Sequence, residues 1–107
     1  MNIDDIKTCG EAIQYLSSEY PVGTIFVFDD SWGFVYVGFV VEATDKTWKF
    51  IFQYHFDADA HSDVDYTTPT TPSFLDPSYN YRFKNSGPEG AILDPDRDWM
   101  RNLTKIV

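Results

Sequence analysis

"TIFVFDDSWGFVYVGFVVEATDKTWKFIFQYHF", residues 24–56, decides the fold. Residues 24–28 are a β-branched and aromatic run, ended by Asp29-Asp30-Ser31-Trp32-Gly33, whose small and acidic members suit a turn. Residues 34–41 are apolar at nearly every position, which predicts a central strand buried on both faces. Ala43-Thr44-Asp45-Lys46 supplies a second turn. Trp48, Phe50, Phe52, Tyr54 and Phe56 then alternate with Lys49, Ile51, Gln53, His55 and Asp57, the period of a strand with one aromatic face. The stretch predicts a three-stranded antiparallel meander.

Upstream, Thr8-Cys9-Gly10-Glu11 has the spacing of a capping box, in which the threonine and glutamate side chains satisfy the first free amides of a helix. Ile13, Leu16 and Tyr20 continue at helical spacing and Pro21 stops it, so a helix is predicted over 9–20. Ile3 and Ile6 either extend that helix or form a separate short turn. Downstream, Pro69, Pro72 and Pro77 among threonines and serines predict an exposed connection over 67–78. Tyr79, Tyr81 and Phe83 alternate with Asn80, Arg82 and Lys84, which predicts a fourth strand. Asp94-Pro95 reads as an N-cap followed by proline at the first helical position, and Trp99, Leu103 and Ile106 share one helical face. The whole predicts one α+β domain over residues 1–107: an antiparallel sheet of about four strands, open or curled into a small open barrel, with an N-terminal and a short C-terminal helix.

Composition narrows the function. The 107 residues include 3 Trp, 7 Tyr and 9 Phe, enough for a core and too many for a disordered acidic chain. The lone Cys9 permits no intramolecular disulfide, and no apolar run or basic leader points to a membrane or to export, so the expected location is cytoplasmic. Asn102-Leu103-Thr104 matches a glycosylation acceptor that has no consequence without a secretory route.

Seventeen acids against eight bases give a net charge of −9. Residues 1–54 carry −5, residues 55–66 carry −4 with no Lys or Arg, and residues 67–107 are neutral. Such a distribution repels nucleic acid, whose binding depends on Lys and Arg releasing counterions, and attracts a basic protein.

The densest acid lies in "HFDADAHSDVDY", residues 55–66. Its metal reading uses His55, Asp57, Asp59 and His61, since imidazole and carboxylate together suit zinc or another transition metal. On one face of a straight strand these residues stand about 6.5 Å apart. Ligands of one ion lie about 2.1 Å from it, so a straight strand brings two together and only a bend near 58–60 would gather four. A helix-loop-helix calcium site starting at Asp57 fails, because Ser62 stands where the turn needs glycine and Thr68 where a bidentate glutamate belongs. Asp59-Ala60-His61-Ser62-Asp63 resembles the Asp-Ala-His-x-Asp metal motif of the arginase family. The resemblance covers five residues and implies further ligands on a much larger α/β fold, so no role is carried over.

Neither a nucleophile elbow nor a phosphate-cradling glycine loop is present in the sequence. The expectation is therefore a protein without catalytic residues or cofactor. A small-ligand barrel lined by Trp48 and Tyr54 is a further alternative. The leading expectation is an acidic recognition surface. Asp57, Asp59, Asp63 and Asp65 on an extended segment form a negative row, extended by Asp29, Asp30 and the anchor Trp32 of the first turn. Neighbours about 6.5 Å apart repel by only about 0.6 kcal/mol in water, small against a fold worth about 5–15 kcal/mol. Duplex DNA places one phosphate per about 3.4 Å on each strand, so such a row can stand in for phosphates in a partner's groove. The predicted class is a small inhibitor or decoy of a basic, nucleic-acid-handling partner. That is the general character of phage counter-defence proteins such as anti-CRISPR proteins, and of bacterial immunity proteins.

Overall fold

The computed structural model describes residues 2–29, 31, 35–55, 68–75 and 89–107, with the backbone alone at 53–55 and 73. A 3-10 turn at Ile3–Asp5 precedes helix α1, Cys9–Glu19. Strands β1 (Ile25–Asp29), β2 (Val35–Ala43) and β3 (Trp48–His55) follow, then a 3-10 turn at Ser73–Leu75, helix α2 (Asp94–Arg101) and strand β4 (Leu103–Lys105). The described strands form an open antiparallel sheet in the order β3-β2-β1-β4. The α+β architecture and the central meander are thus as the sequence predicts.

Helix α1 starts as expected. Thr8 Oγ1 accepts from the Glu11 amide at 3.2 Å, and Glu11 Oε1 accepts from the Thr8 amide at 3.1 Å. Cys9, Ala12, Leu16 and Tyr20 face the sheet and are buried, while Ile13 is only half-buried. Tyr20 is the C-cap, and Ile3 belongs to the separate turn. The β2–β3 turn is knotted by Thr44 Oγ1, which accepts from the Lys46 and Thr47 amides, and it is tied to α1 by Ser17 Oγ donating to the Thr44 carbonyl at 2.7 Å.

Both helices contribute to one aromatic core on one face of the sheet, where Trp48, Phe26, Ile6, Leu16 and Val40 are fully buried. Trp48 packs among Tyr20, Phe26, Phe50 and Trp99 with ring centroids 5.4–6.4 Å apart. Its indole Nε1 donates to the Tyr20 carbonyl at 2.9 Å. Gly38, paired with Phe26 across β1 and β2, leaves room for that ring: a Cβ there would come within 2.7 and 2.8 Å of the Phe26 Cε1 and Cε2 atoms. Register shifts in the β2–β3 ladder, between Val37 and Gly38 and between Val40 and Glu42, mark bulges.

Three expectations are corrected. The C-terminal helix does not run on through Leu103: Asn102 closes it, and Leu103–Lys105 turns into β4, pairing with β1 through Val27 and Thr104. The side of β1 away from β2 needs a partner for its amides and carbonyls, and this short strand supplies it. Leu103 still enters the core, but Ile106 is exposed instead of sharing its face. The N-cap of α2 is Leu93, not Asp94. The Leu93 amide donates to Asp96 Oδ2 at 3.0 Å, which places Asp94 and Pro95 one position further into the helix. The connection after β3 is not wholly exposed, since Phe74 is buried against Trp99 and Thr70 exchanges two backbone hydrogen bonds with Phe50. The predicted strand at Tyr79, Tyr81 and Phe83 lies outside the described residues.

Candidate functional site

Of the residues expected to form the acidic surface, Asp29 is described: it ends β1 and is exposed. Its Oδ1 accepts from the Ser31 amide at 2.8 Å, an aspartate turn that holds Ser31 in the left-handed region at φ 67°. Asn102 reaches this turn from the far side, its Nδ2 donating to Ser31 Oγ at 3.4 Å and its carbonyl accepting from the Asp29 amide at 3.3 Å. The turn is thereby fixed to the start of β4. Asp30, Trp32, Asp57, Asp59, Asp63 and Asp65 lie outside the described residues.

The register fixes which strand ends meet. Asp29 pairs with Val35, and Tyr36 pairs with His55. The end of β1, the start of β2 and the end of β3 therefore share one end of the sheet, with Asp29 and His55 on either side of β2. Two strand spacings of about 4.8 Å put their backbones about 10 Å apart. At the opposite end lie the 44–47 turn and the end of α1, with Glu19, Glu42 and Asp45.

Of the metal reading's ligands, Asp57, Asp59 and His61 fall outside the described residues, and His55 contributes its backbone pairing alone. Among the described residues no group of three or more His, Cys, Asp or Glu is placed to hold a metal ion. Trp48 does not line a ligand space, since it is 0% exposed and its one polar atom is satisfied within the core, while the side chain of Tyr54, the other residue of that alternative, lies outside the described residues. A cleft of about 220 Å³ lined by Gln14, Tyr15, Ser18 and Glu19 lies on α1. It falls below the roughly 300–1,000 Å³ of ordinary ligand pockets.

Two polar features escaped the sequence reading. Asp96 is 1% exposed, and its Oδ1 has no hydrogen-bond partner among the described residues. The signal was its place three residues after Leu93, where a carboxylate reaches back to the cap amide. Arg97 and Arg101 clamp the N-terminal turn to α2. Arg97 Nε donates to the Ile6 carbonyl at 3.0 Å while its Nη1 binds Asp94 at 2.7 Å, and Arg101 joins Asp98 and Asp4. Nothing local links residues ninety positions apart, so this clamp had no sequence signature. Cys9 Sγ donates to the Phe74 carbonyl at 3.4 Å, and burial first, then the Asp96 charge, push its thiol above the ordinary value of 9.0. That setting suppresses the thiolate a nucleophile would need.

No protein-family model, curated protein or solved structure matches the chain. No helix among the described residues is long and apolar enough to cross a membrane.

Proposed function

We propose that this protein binds a basic partner through an acidic surface at the Asp29–His55 end of its sheet and acts on it as an inhibitor or decoy. The observation that carries the reading is the segregation of charge. All of the net −9 resides in the first 66 residues, four of its aspartates follow directly on β3, and β1 brings Asp29 to the same end. A partner built to hold phosphates has the matching potential and spacing, so the favoured target is a nucleic-acid-handling protein met in the cytoplasm. Clustered carboxylates raise the encounter rate and set the register, while the aromatic Trp32, three residues after Asp29, supplies an anchor.

The test is a pull-down from host lysate at low and high salt, beside a variant carrying Asp57→Asn, Asp59→Asn, Asp63→Asn and Asp65→Asn. A partner lost in both high salt and the variant, and displaced by duplex DNA, supports the reading. A partner retained in both refutes it.

A further inference from the structure

The end of β1 is held from two directions. Asp29 Oδ1 accepts from the Ser31 amide at 2.8 Å, and among the described non-glycine residues Ser31 alone has a positive φ, 67°. A serine there carries a steric cost that glycine would not, so the turn keeps this shape only because its surroundings impose it. Asn102 imposes it from the α2 side. Its amide caps α2 by donating to the Asp98 carbonyl at 3.1 Å, its carbonyl accepts from the Asp29 amide at 3.3 Å, and its Nδ2 donates to Ser31 Oγ at 3.4 Å. The Phe28 ring packs on Trp99 of α2 with centroids 5.1 Å apart, so the preceding residue of β1 is tied to the same helix. The exposed Asp29 carboxylate is thereby oriented as well as placed.

Orientation matters to one kind of cation. An ammonium is a compact point charge that meets a carboxylate from any side, whereas a guanidinium is a planar fork whose paired donors need both oxygens aligned with it. Each carboxylate oxygen can accept more than one hydrogen bond, so Asp29 Oδ1 can serve the Ser31 amide and a fork together. A turn already fixed in this shape also spares a partner the entropy of ordering it. Resting on the acidic-surface reading above, we propose that Asn102 is a positioning residue that sets the Asp29 carboxylate for an arginine side chain of the basic partner.

Octa-arginine and octalysine peptides, titrated at low salt and followed by NMR, test this on wild type, Asn102→Ala, Ser31→Ala, the double variant and Asp29→Asn. Asn102→Ala weakens octa-arginine by about threefold or more and leaves octalysine within about 1.5-fold, because the charge is unchanged and only its aim is lost. A general loosening of the fold would weaken both peptides alike. Ser31→Ala, at an exposed position that leaves the α2 cap in place, gives the same split and preserves the test if Asn102→Ala unfolds. The double variant adds no further loss, the mark of two residues acting through one contact. Equal losses for the two peptides, or an unchanged octa-arginine affinity in a folded single variant, overturn the proposal, and the acidic surface stands where Asp29→Asn weakens both peptides. An Asp29→Asn variant that binds both peptides as wild type does overturns the acidic surface at this turn, and the positioning role with it.

Discussion

Asp29 and His55 close their strands at the same end of the sheet, with Val35 and Tyr36 of β2 between them. Chain direction alone produces this. In an antiparallel meander β1 and β3 run the same way, so the turn after β1 and the segment after β3 must leave together. The Asp29-Asp30 pair and the four aspartates of 57–65 fall in sequence at those two strand ends, and that coincidence is the basis of the proposed recognition surface.

Position should therefore matter more than net charge. Glu19→Gln, Glu42→Gln and Asp45→Asn together remove three negative charges from the opposite end of the sheet. They are expected to leave partner affinity within about 0.5 kcal/mol at moderate salt, since exposed charges beyond about 10 Å are largely screened. Titration calorimetry with the captured partner checks this, and a loss matching that of the aspartate-row variant would show an unlocalised charge effect.

Gly38→Ala is expected to destabilise the fold by about 1–3 kcal/mol, because the added Cβ meets the Phe26 ring deep in the core. Urea unfolding measures it. Adding Phe26→Leu should recover part of the loss, giving a coupling that two independent sites would not show.

Trp48→Phe removes both volume and the donor to the Tyr20 carbonyl. The expected cost is about 2–4 kcal/mol, combining a cavity with a buried carbonyl left unpaired. Equilibrium unfolding followed by far-UV circular dichroism reads it without depending on the lost indole.

The arginine clamp separates two kinds of ion pair. Asp4→Asn breaks an exposed pair with Arg101 that solvent screens, and should leave stability nearly unchanged. Arg97→Ala should cost more, about 1–3 kcal/mol, because the largely buried Arg97 side chain also binds the Ile6 carbonyl, which then loses its donor. Thermal unfolding of the two variants gives the order directly.

Cys9 makes a pH prediction. Its thiol is raised in the folded state, so above the ordinary value of 9.0 the unfolded chain releases its proton first and binds fewer protons than the native one. Stability from this group is complete below that value and is lost as pH rises from it towards the higher folded one. Cys9→Ala should flatten the alkaline fall in stability, and the native thiol should react with a thiol reagent more slowly than the urea-unfolded chain.

The meander was legible because its evidence is local: β-branched and aromatic runs, period-two alternation and acidic or threonine-rich turns all fall within 33 residues. Helix α1 was legible for the same reason, through Thr8 and Glu11. Strand β4 was not. Leu103 follows Trp99 at helical spacing, and the partner that makes it a strand, β1, lies some 75 residues away. Phe74 was hidden in a proline- and threonine-rich stretch whose composition signals a loop, although one aromatic in such a loop is enough to seat it in the core. For the candidate site, sequence supplied the charge and the register supplied the meeting of Asp29 with the end of β3. Trp48, on the aromatic face of its strand, is consumed by packing and leaves nothing for a ligand.

The most direct test of the recognition surface is the affinity of the captured partner for wild type and for the variant with Asp57, Asp59, Asp63 and Asp65 changed to asparagine, measured by calorimetry at two salt concentrations. The acidic-surface account predicts a loss of about 2 kcal/mol or more, on the order of 30-fold, and a shallower salt dependence in a variant that unfolds like wild type. Equal affinity and equal salt dependence for the two proteins would contradict it.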